Sequence, residues 1–381
     1  MELRDTPDEA AFRTELRAWL DANLPEEQRG GRGGAQRFDD AFGREWSRML
    51  YDAGYAGLTW PKEFGGAGAP YSFQAIFYEE MARAHAPGHV GVIGLGMAGP
   101  TIMAHGSDEQ KQAHLSKILS AEEIWCQGFS EPDAGSDLAA ARTRAERKGD
   151  SYIVNGQKVW SSFAHIADFC ILVTQSDPDA PRYRNLTYLI VDMHAPGVEV
   201  RPLRQITGEA EFNEIFFNDV DVPVSNRLGE EGEGWQVAMT TLLHERGTLG
   251  FALTAALESG VNRLLDVARN RVNGDSGVRE RVAAEWIELQ ALRYTNYRSL
   301  GAYQRTGIPG PEGSAIKLRW SEQNQRMTKL GRELLGAEGI IDDGWWHHQQ
   351  LRSRGNTIEA GTSEVLRNIV AERVLGLPKG R

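Results

Sequence analysis

One carboxylate stands on an otherwise apolar helical stripe. Between Gly234 and Leu253 the spacing predicts a helix, and Ala238, Leu242, Glu245, Leu249 and Ala252 fall on one face of it. Glu245 is the charged member of that stripe. Burying a lone carboxylate is costly, so such a group is either paired or functional. Pairing would use Arg246 or Arg263 across a helix contact. Function would use the burial itself, because desolvation raises a carboxyl pKa and makes the group a stronger base toward a carbon acid.

Other segments carry weaker chemistry. Residues 129–137 read FSEPDAGSD, a turn whose small residues let backbone N–H groups approach a polar ligand edge; the alternative is a plain surface turn. Trp160, Ser161 and Ser162 follow at a strand end, where the indole could stack on a planar ligand or fill the core. Glu359 precedes Ala360, Gly361 and Thr362, and its neighbours in a looping backbone point in different directions, so it ranks behind Glu245 as a base. His347 and His348 have no acidic or cysteine partner at ligand spacing and read as an exposed or interface loop. Cys126 reads as a small buried hydrophobe. Gly94 to Gly99 lacks the strand-turn-helix context of a nucleotide loop and reads as a helix-packing segment.

These residues need elements to hold them. Thr6, Pro7, Asp8 and Glu9 form a capping box ahead of Phe12, Leu16, Trp19 and Leu20, which recur at helical spacing. Gly30 to Gly34 reads as an exposed loop, and helices resume near 42–53, 73–84 and 108–119. Past Trp125 the pattern turns to strands. Residues 152–154 and 157–160 flank Asn155-Gly156, the signal for a hairpin with a type I′ turn. Residues 169–174, 186–192, 198–203 and 214–222 also read as strands, and helical spacing returns beyond Gly234. Helices, strands, then helices predict an α+β protein with a segregated sheet or barrel.

The chain has 381 residues, 53 Asp+Glu against 42 Lys+Arg and a net charge of −11, which argues against non-specific nucleic-acid binding. Its two cysteines, Cys126 and Cys170, lack metal spacing and point to a reducing compartment. There is no signal pattern and no 18-residue apolar run, so a cytoplasmic protein without a membrane partner is expected.

Five landmarks in order then carry a resemblance: WPKEFGG at 60–66, GSDEQK at 106–111, FSEPDAGSD at 129–137, NGQKVWSS at 155–162 and GTSEVLRN at 361–368. The chain resembles the acyl-CoA dehydrogenases over nearly its whole length. The resemblance implies an N-terminal helical domain (1–122), a central β-barrel domain (123–230) and a C-terminal four-helix bundle (231–381). It implies FAD as cofactor and oxidation of an acyl-CoA thioester to its α,β-enoyl product, with electrons passed to an electron-transfer flavoprotein. It further implies a homodimer or homotetramer.

Roles transfer position by position. The Phe129 backbone and the Ser130 hydroxyl would contact the flavin ring, and Ser136 would lie near both the cofactor and the CoA portion. Trp160 would pack on the ring system and Ser162 would bond its polar edge. Thr362 and Glu364 match contacts to the flavin nucleotide, although Glu364 stands where the family often has Gln and so lacks amide donors. Arg271 is the nearest substitute for an arginine that reaches a neighbouring subunit's flavin phosphates. Gly336 is what remains of a Gln-x-x-Gly-Gly flavin contact, here ELLGA at 333–337.

The family usually carries its catalytic glutamate immediately before the Gly-Thr pair, and here that position is Ala360. A minority of members, acting on branched-chain, long-chain or steroid side-chain acyl-CoAs, place the glutamate on a bundle helix just before an arginine. LLHER at 242–246 matches that arrangement, with Glu245 as base and Arg246 contacting CoA. Ala360 would keep its backbone N–H on the thioester oxygen beside Gly361. The changes at Ala360, Arg271 and Gly336 also fit a subunit of a heteromeric dehydrogenase paired with a paralogous chain. A flavin oxidase or monooxygenase on the same fold is a third reading.

Overall fold

The computed structural model describes residues 4–29, 41–271, 274–306, 310–341 and 344–379, with the side chains of 245–249 outside that description. The expected glycine-rich loop at 30–34 also lies outside it. The architecture is α+β: a helical N-terminal region, one mixed sheet and a helical C-terminal region. Packing divides the chain into two compact units, each discontinuous in sequence. One comprises 1–36, 69–87 and 246–381; the other comprises 37–68 and 88–245.

The second of these holds helices α2 (Ala41–Asp52), α4 (Gly99–His105) and α5 (Asp108–Ser120). Its strands are β1 (Trp125–Gly128), β2 (Arg144–Lys148), β3 (Ser151–Ser162) and β4 (Phe169–Gln175). They continue with β5 (Leu186–Asp192), β6 (Val198–Leu203), β7 (Phe212–Pro223) and β8 (Arg227–Leu228). The sheet order is β6-β7-β3-β2-β4-β5-β8, with β1 parallel to β4. β4 and β5 are buried on both faces, so they read as continuous apolar runs instead of alternating ones. Ile171 and Val173 face a core shared with Ile102, Ile118 and Trp125, while Cys170 and Leu172 face one shared with Tyr152, Val154 and Phe217.

The segment at Gly94 packs as expected. It forms a π-helical turn, and a Cβ at Gly99 would sit 2.2 Å from the Trp60 ring. The Trp60 indole N–H donates to the Leu95 carbonyl at 3.2 Å.

The hairpin expected at Asn155-Gly156 is absent, because β3 runs straight through the pair. Asn155 exchanges two bonds with Asp219 of β7: its amide donates to the carboxylate, and its carbonyl oxygen accepts from the Asp219 N–H, both at 2.9 Å. Gly156 lies against Thr143, where a Cβ would come within 2.7 Å of backbone. The pair therefore makes a bulge, with a register shift between Val154 and Gly156. The turn joining β2 to β3 falls at Gly149, φ 63°.

The other unit contains α1 (Pro7–Asn23), α3 (Tyr71–Arg83), the part of α6 (Gly234–Arg271) beyond Glu245, α7 (Ser276–Thr306), α8 (Glu312–Leu335), α9 (Glu338–Ile341), α10 (Trp345–Asn356) and α11 (Ser363–Ile369). The Thr6–Glu9 capping box is formed. Leu257, Leu289, Trp320 and Trp346 bring α6, α7, α8 and α10 into one core. A Cβ at Gly331 would lie 2.2 Å from the Trp346 ring, so α10 approaches α8 where there is no side chain. That anchor places His347 and His348 in the first turn of α10, not in a loop.

Glu80 joins α1 to α3. It is 2 % exposed and takes hydrogen bonds from Arg13, Arg17 and Arg83 at 2.7–2.9 Å. Burial alone would raise its pKa, but the arginine hydrogen bonds outweigh it and hold the carboxyl at about 2, against an ordinary 4.5. A depressed folded-state pKa gives stability that is complete above the unfolded value and fades as pH falls from about 4.5 toward 2. Acid titrations of wild type and Glu80→Gln, followed by circular dichroism, are expected to converge across that window. Parallel curves would contradict this.

Candidate active site

Two distant segments meet on the sheet. The Val159 N–H donates to the Ser130 carbonyl at 2.9 Å, binding β3 to the 129–137 loop. Beneath them Lys158, 0 % exposed, donates its Nζ to the Phe129 carbonyl at 3.0 Å and to Glu131 at 2.8 Å. Glu131 also accepts the backbone N–H groups of Arg142 and Thr143 at 2.7 and 2.8 Å. Burial would raise the Glu131 pKa, but Lys158 and these N–H groups bring it below the ordinary carboxylate range. Burial lowers that of Lys158, with Glu131 opposing.

Lys158 and Glu131 carry no motif of their own, yet one signal for them is present in the sequence. A period-two count from Tyr152 and Val154 puts Lys158 on the buried face, and a buried ammonium requires a carboxylate.

Trp160 sits just beyond, where the ladder shifts register between Lys158 and Ser161. Its φ is 61° and its side chain is 59 % exposed. A bulky residue held at positive φ with its ring in the open is a costly arrangement of the kind that marks ligand sites. The adjacent Ser161 hydroxyl is buried with no hydrogen-bond partner among the described residues, and Ser162 is half-buried opposite Phe212. Phe129 is buried, Ser130 half-buried and Ser136 exposed, with Asp137 ion-paired to Arg182. An open indole face, an unspent hydroxyl and a rigidly braced loop fit a planar aromatic group with a polar edge, as in an isoalloxazine. Bound there, FAD would supply a two-electron acceptor.

In the other unit, Ala360 and Gly361 both take left-handed backbone conformations, φ 49° and 93°. Buried Lys317 of α8 closes the loop by donating to the Asn356 and Gly361 carbonyls at 2.7 and 2.8 Å. Glu359 is fully engaged. It takes bonds from Arg352 at 2.8 and 3.2 Å and from the Asn356 amide at 2.7 Å. We expect Glu359→Gln to keep substrate-driven flavin bleaching within several-fold of wild type in anaerobic stopped-flow; loss of bleaching would make it the base.

Thr362 is the N-cap of α11, accepting the Val365 N–H at 3.2 Å, and Glu364 is exposed with Arg367 nearby. Arg271 is ion-paired with Glu338, and Glu333 with Arg281. Gly336 ends α8 at φ 61° and ψ −130°, a conformation that favours glycine. The side chains of Glu245 and Arg246 lie outside the described residues, although the backbone there is helical within α6. Neighbouring His244 has its pKa lowered by burial.

The comparisons with known proteins agree along the chain. Sequence models for the N-terminal, middle and C-terminal domains of acyl-CoA dehydrogenase match residues 6–122, 126–220 and 232–375. The chain belongs to the acyl-CoA dehydrogenase family. It is an FAD-dependent oxidoreductase of that family.

Among its relatives, acyl-CoA dehydrogenase IpdE1 of Mycobacterium tuberculosis is 40% identical over 380 residues, covering 97% of both chains. Acyl-CoA dehydrogenase FadE29 of the same organism is 33% identical, covering 98% of both. The solved structure named Tcur3481-Tcur3483 steroid ACAD superposes with a TM-score of 0.90 at 32% identity over the full length of both chains. The ChsE4-ChsE5 complex from Mycobacterium tuberculosis gives 0.87 at 31%, again over the full length of both. Among the described residues of this dehydrogenase, no helix is long and apolar enough to cross a membrane.

Proposed function

We propose that this dehydrogenase desaturates the α,β bond of an acyl-CoA thioester, with Glu245 taking the α proton. The observation that carries this reading is the state of the customary loop: Ala360 offers no carboxylate, and Glu359 beside it is held by Arg352 and Asn356. In the reaction the α C–H bond breaks toward the Glu245 carboxylate, its electron pair forms the new double bond, and the β C–H bond breaks with its electron pair leaving as hydride, for which bound FAD would be the acceptor. The Ala360 N–H, a backbone donor independent of its side chain, stabilises the charge developing on the thioester oxygen. Phe129, Ser130, Trp160 and Ser162 hold the flavin ring, Thr362 and Glu364 its nucleotide portion, and Ser136, Arg246 and Gly361 the CoA thioester. Domain limits at 122/123 and 230/231 go with these assignments. Electrons pass to an electron-transfer flavoprotein, as the family resemblance implies. The acyl group is of the steroid-derived class, by analogy with the steroid ACAD.

Anaerobic titration with acyl-CoAs of graded length, branching and ring content tests this. Bleaching is expected, strongest with a steroid-derived acyl group. Flavin-loaded protein that no acyl-CoA bleaches would refute it.

A second reading rests on Arg271 and Glu333, whose side chains are engaged within the chain by Glu338 and Arg281. Their positions correspond to those that reach a neighbour's flavin in the family, and two similar structures are named as paired chains. This chain would then work beside a paralogue. Protein that is colourless alone and yellow once co-expressed with the paralogous chain supports that reading; full flavin loading of the chain alone opposes it.

A further inference from the structure

Tyr188 is a polar residue in the middle of β5, where Leu186, Leu189, Ile190 and Val191 build core. A phenol buried there is costly unless its hydroxyl is bonded. It is bonded to α6: Tyr188 Oη lies 2.9 Å from Thr241 Oγ1, and Thr241 Oγ1 lies 2.8 Å from Thr101 Oγ1 of α4. Thr101 in turn donates to the Met97 carbonyl at 2.8 Å. Each hydroxyl has one proton: Tyr188 donates into Thr241, Thr101 donates to Met97, and the Thr241 proton is shared between Thr101 and the Val237 carbonyl of its own helix, 3.2 Å away. All three side chains are fully buried. Burial pushes the Tyr188 phenol above its ordinary range, so it remains a donor.

The same ring meets Phe129 edge-on, with centroids 5.8 Å apart. Beside the chain, His105 Nε2 lies 2.8 Å from Thr240 Oγ1, a second tie between α4 and α6. Thr241 precedes Glu245 by four residues, about one turn along the α6 backbone. One tyrosine therefore touches the loop assigned to the flavin and bonds to the turn below the assigned base.

We propose that Tyr188 is a positioning residue that, through Thr241 and Thr101, sets the height and rotation of the α6 turn carrying Glu245 against the Phe129 loop. The inference rests on the reading of Glu245 as the base. Proton removal from a carbon acid tolerates little displacement, and errors of about 1 Å cost up to about a hundredfold in rate.

The test uses the flavin-loaded protein, alone or with its paralogous chain if loading requires one. It compares Tyr188→Phe, Thr241→Val and Thr241→Ser. Tyr188→Phe and Thr241→Val are each expected to slow flavin reduction roughly tenfold or more with KM little changed. Amide hydrogen exchange across 242–248 is expected to rise in both, in the apo protein as well. Thr241→Ser, which keeps the hydroxyl, recovers most of the rate lost in Thr241→Val. The Tyr188→Phe, Thr241→Val double variant is no slower than the worse single one, because both break one chain.

Wild-type rate and exchange in Tyr188→Phe would overturn the proposal. So would a slowed rate with unchanged exchange, or an equal loss in Thr241→Ser. If Tyr188→Phe fails to fold, the Thr241 pair decides by the same criteria. Glu245→Gln separates the two claims: if it still reduces flavin, the base assignment fails, while exchange at 242–248 still reports on the tether.

Discussion

Glu245→Gln is expected to abolish bleaching of the flavin by acyl-CoA while leaving the flavin bound. Glutamine keeps the shape and the hydrogen-bonding reach of the side chain and removes only its ability to take a proton. General-base removal costs roughly 10²–10⁴-fold, and the α carbon is a poor acid with no alternative carboxylate free on the 357–362 loop, so the upper end is expected. The visible spectrum of the resting protein serves as the control for flavin binding. Placing a carboxylate at Ala360 in the Glu245→Gln background asks whether the loop can take up the role that the family resemblance assigns to that position. Full activity in Glu245→Gln itself would remove the helix from the mechanism.

The second large effect belongs to Lys158. Lys158→Met leaves Glu131 buried without its cation, and breaking a buried pair by removing one partner costs about 3–5 kcal/mol. It also frees the Phe129 carbonyl, which Lys158 Nζ now holds at 3.0 Å. We expect a lowered denaturant midpoint and weaker flavin binding measured by fluorescence quenching. Adding Glu131→Gln is expected to return part of the stability, because the uncompensated charge is gone, while flavin affinity stays low. Equal stability of wild type and Lys158→Met would show that the pair does not brace the loop.

The limits of β5 and β6, and the start of α6, can be read from the sequence because turn residues bound the apolar run of β5 and the alternating one of β6, and helical spacing begins at Gly234. The capping box at Thr6 is equally local. The Asn155-Gly156 hairpin was misread for the same reason: a dipeptide signal takes no account of Asp219 and Thr143, which convert the pair into a bulge.

At the site, the segments that meet on the sheet are recognisable one by one, but the groups that brace them are not. Lys158 and Glu131 are 27 residues apart, and Lys317 is 44 from the Gly361 carbonyl it holds. Glu359 looked like a rival base because it is next to Ala360; its capture by Arg352 depends on how α10 presents that arginine. Tyr188 lies within a strand, and the partner of its hydroxyl, Thr241, is 53 residues away on α6.

The most direct test of the account is a crystal structure of the flavin-loaded protein with an unreactive acyl-CoA analogue. The Glu245 carboxylate is expected within about 3–3.5 Å of the analogue's α carbon, with the Ala360 N–H on the thioester oxygen. A Glu245 side chain turned away from the acyl group and paired to an arginine would contradict it.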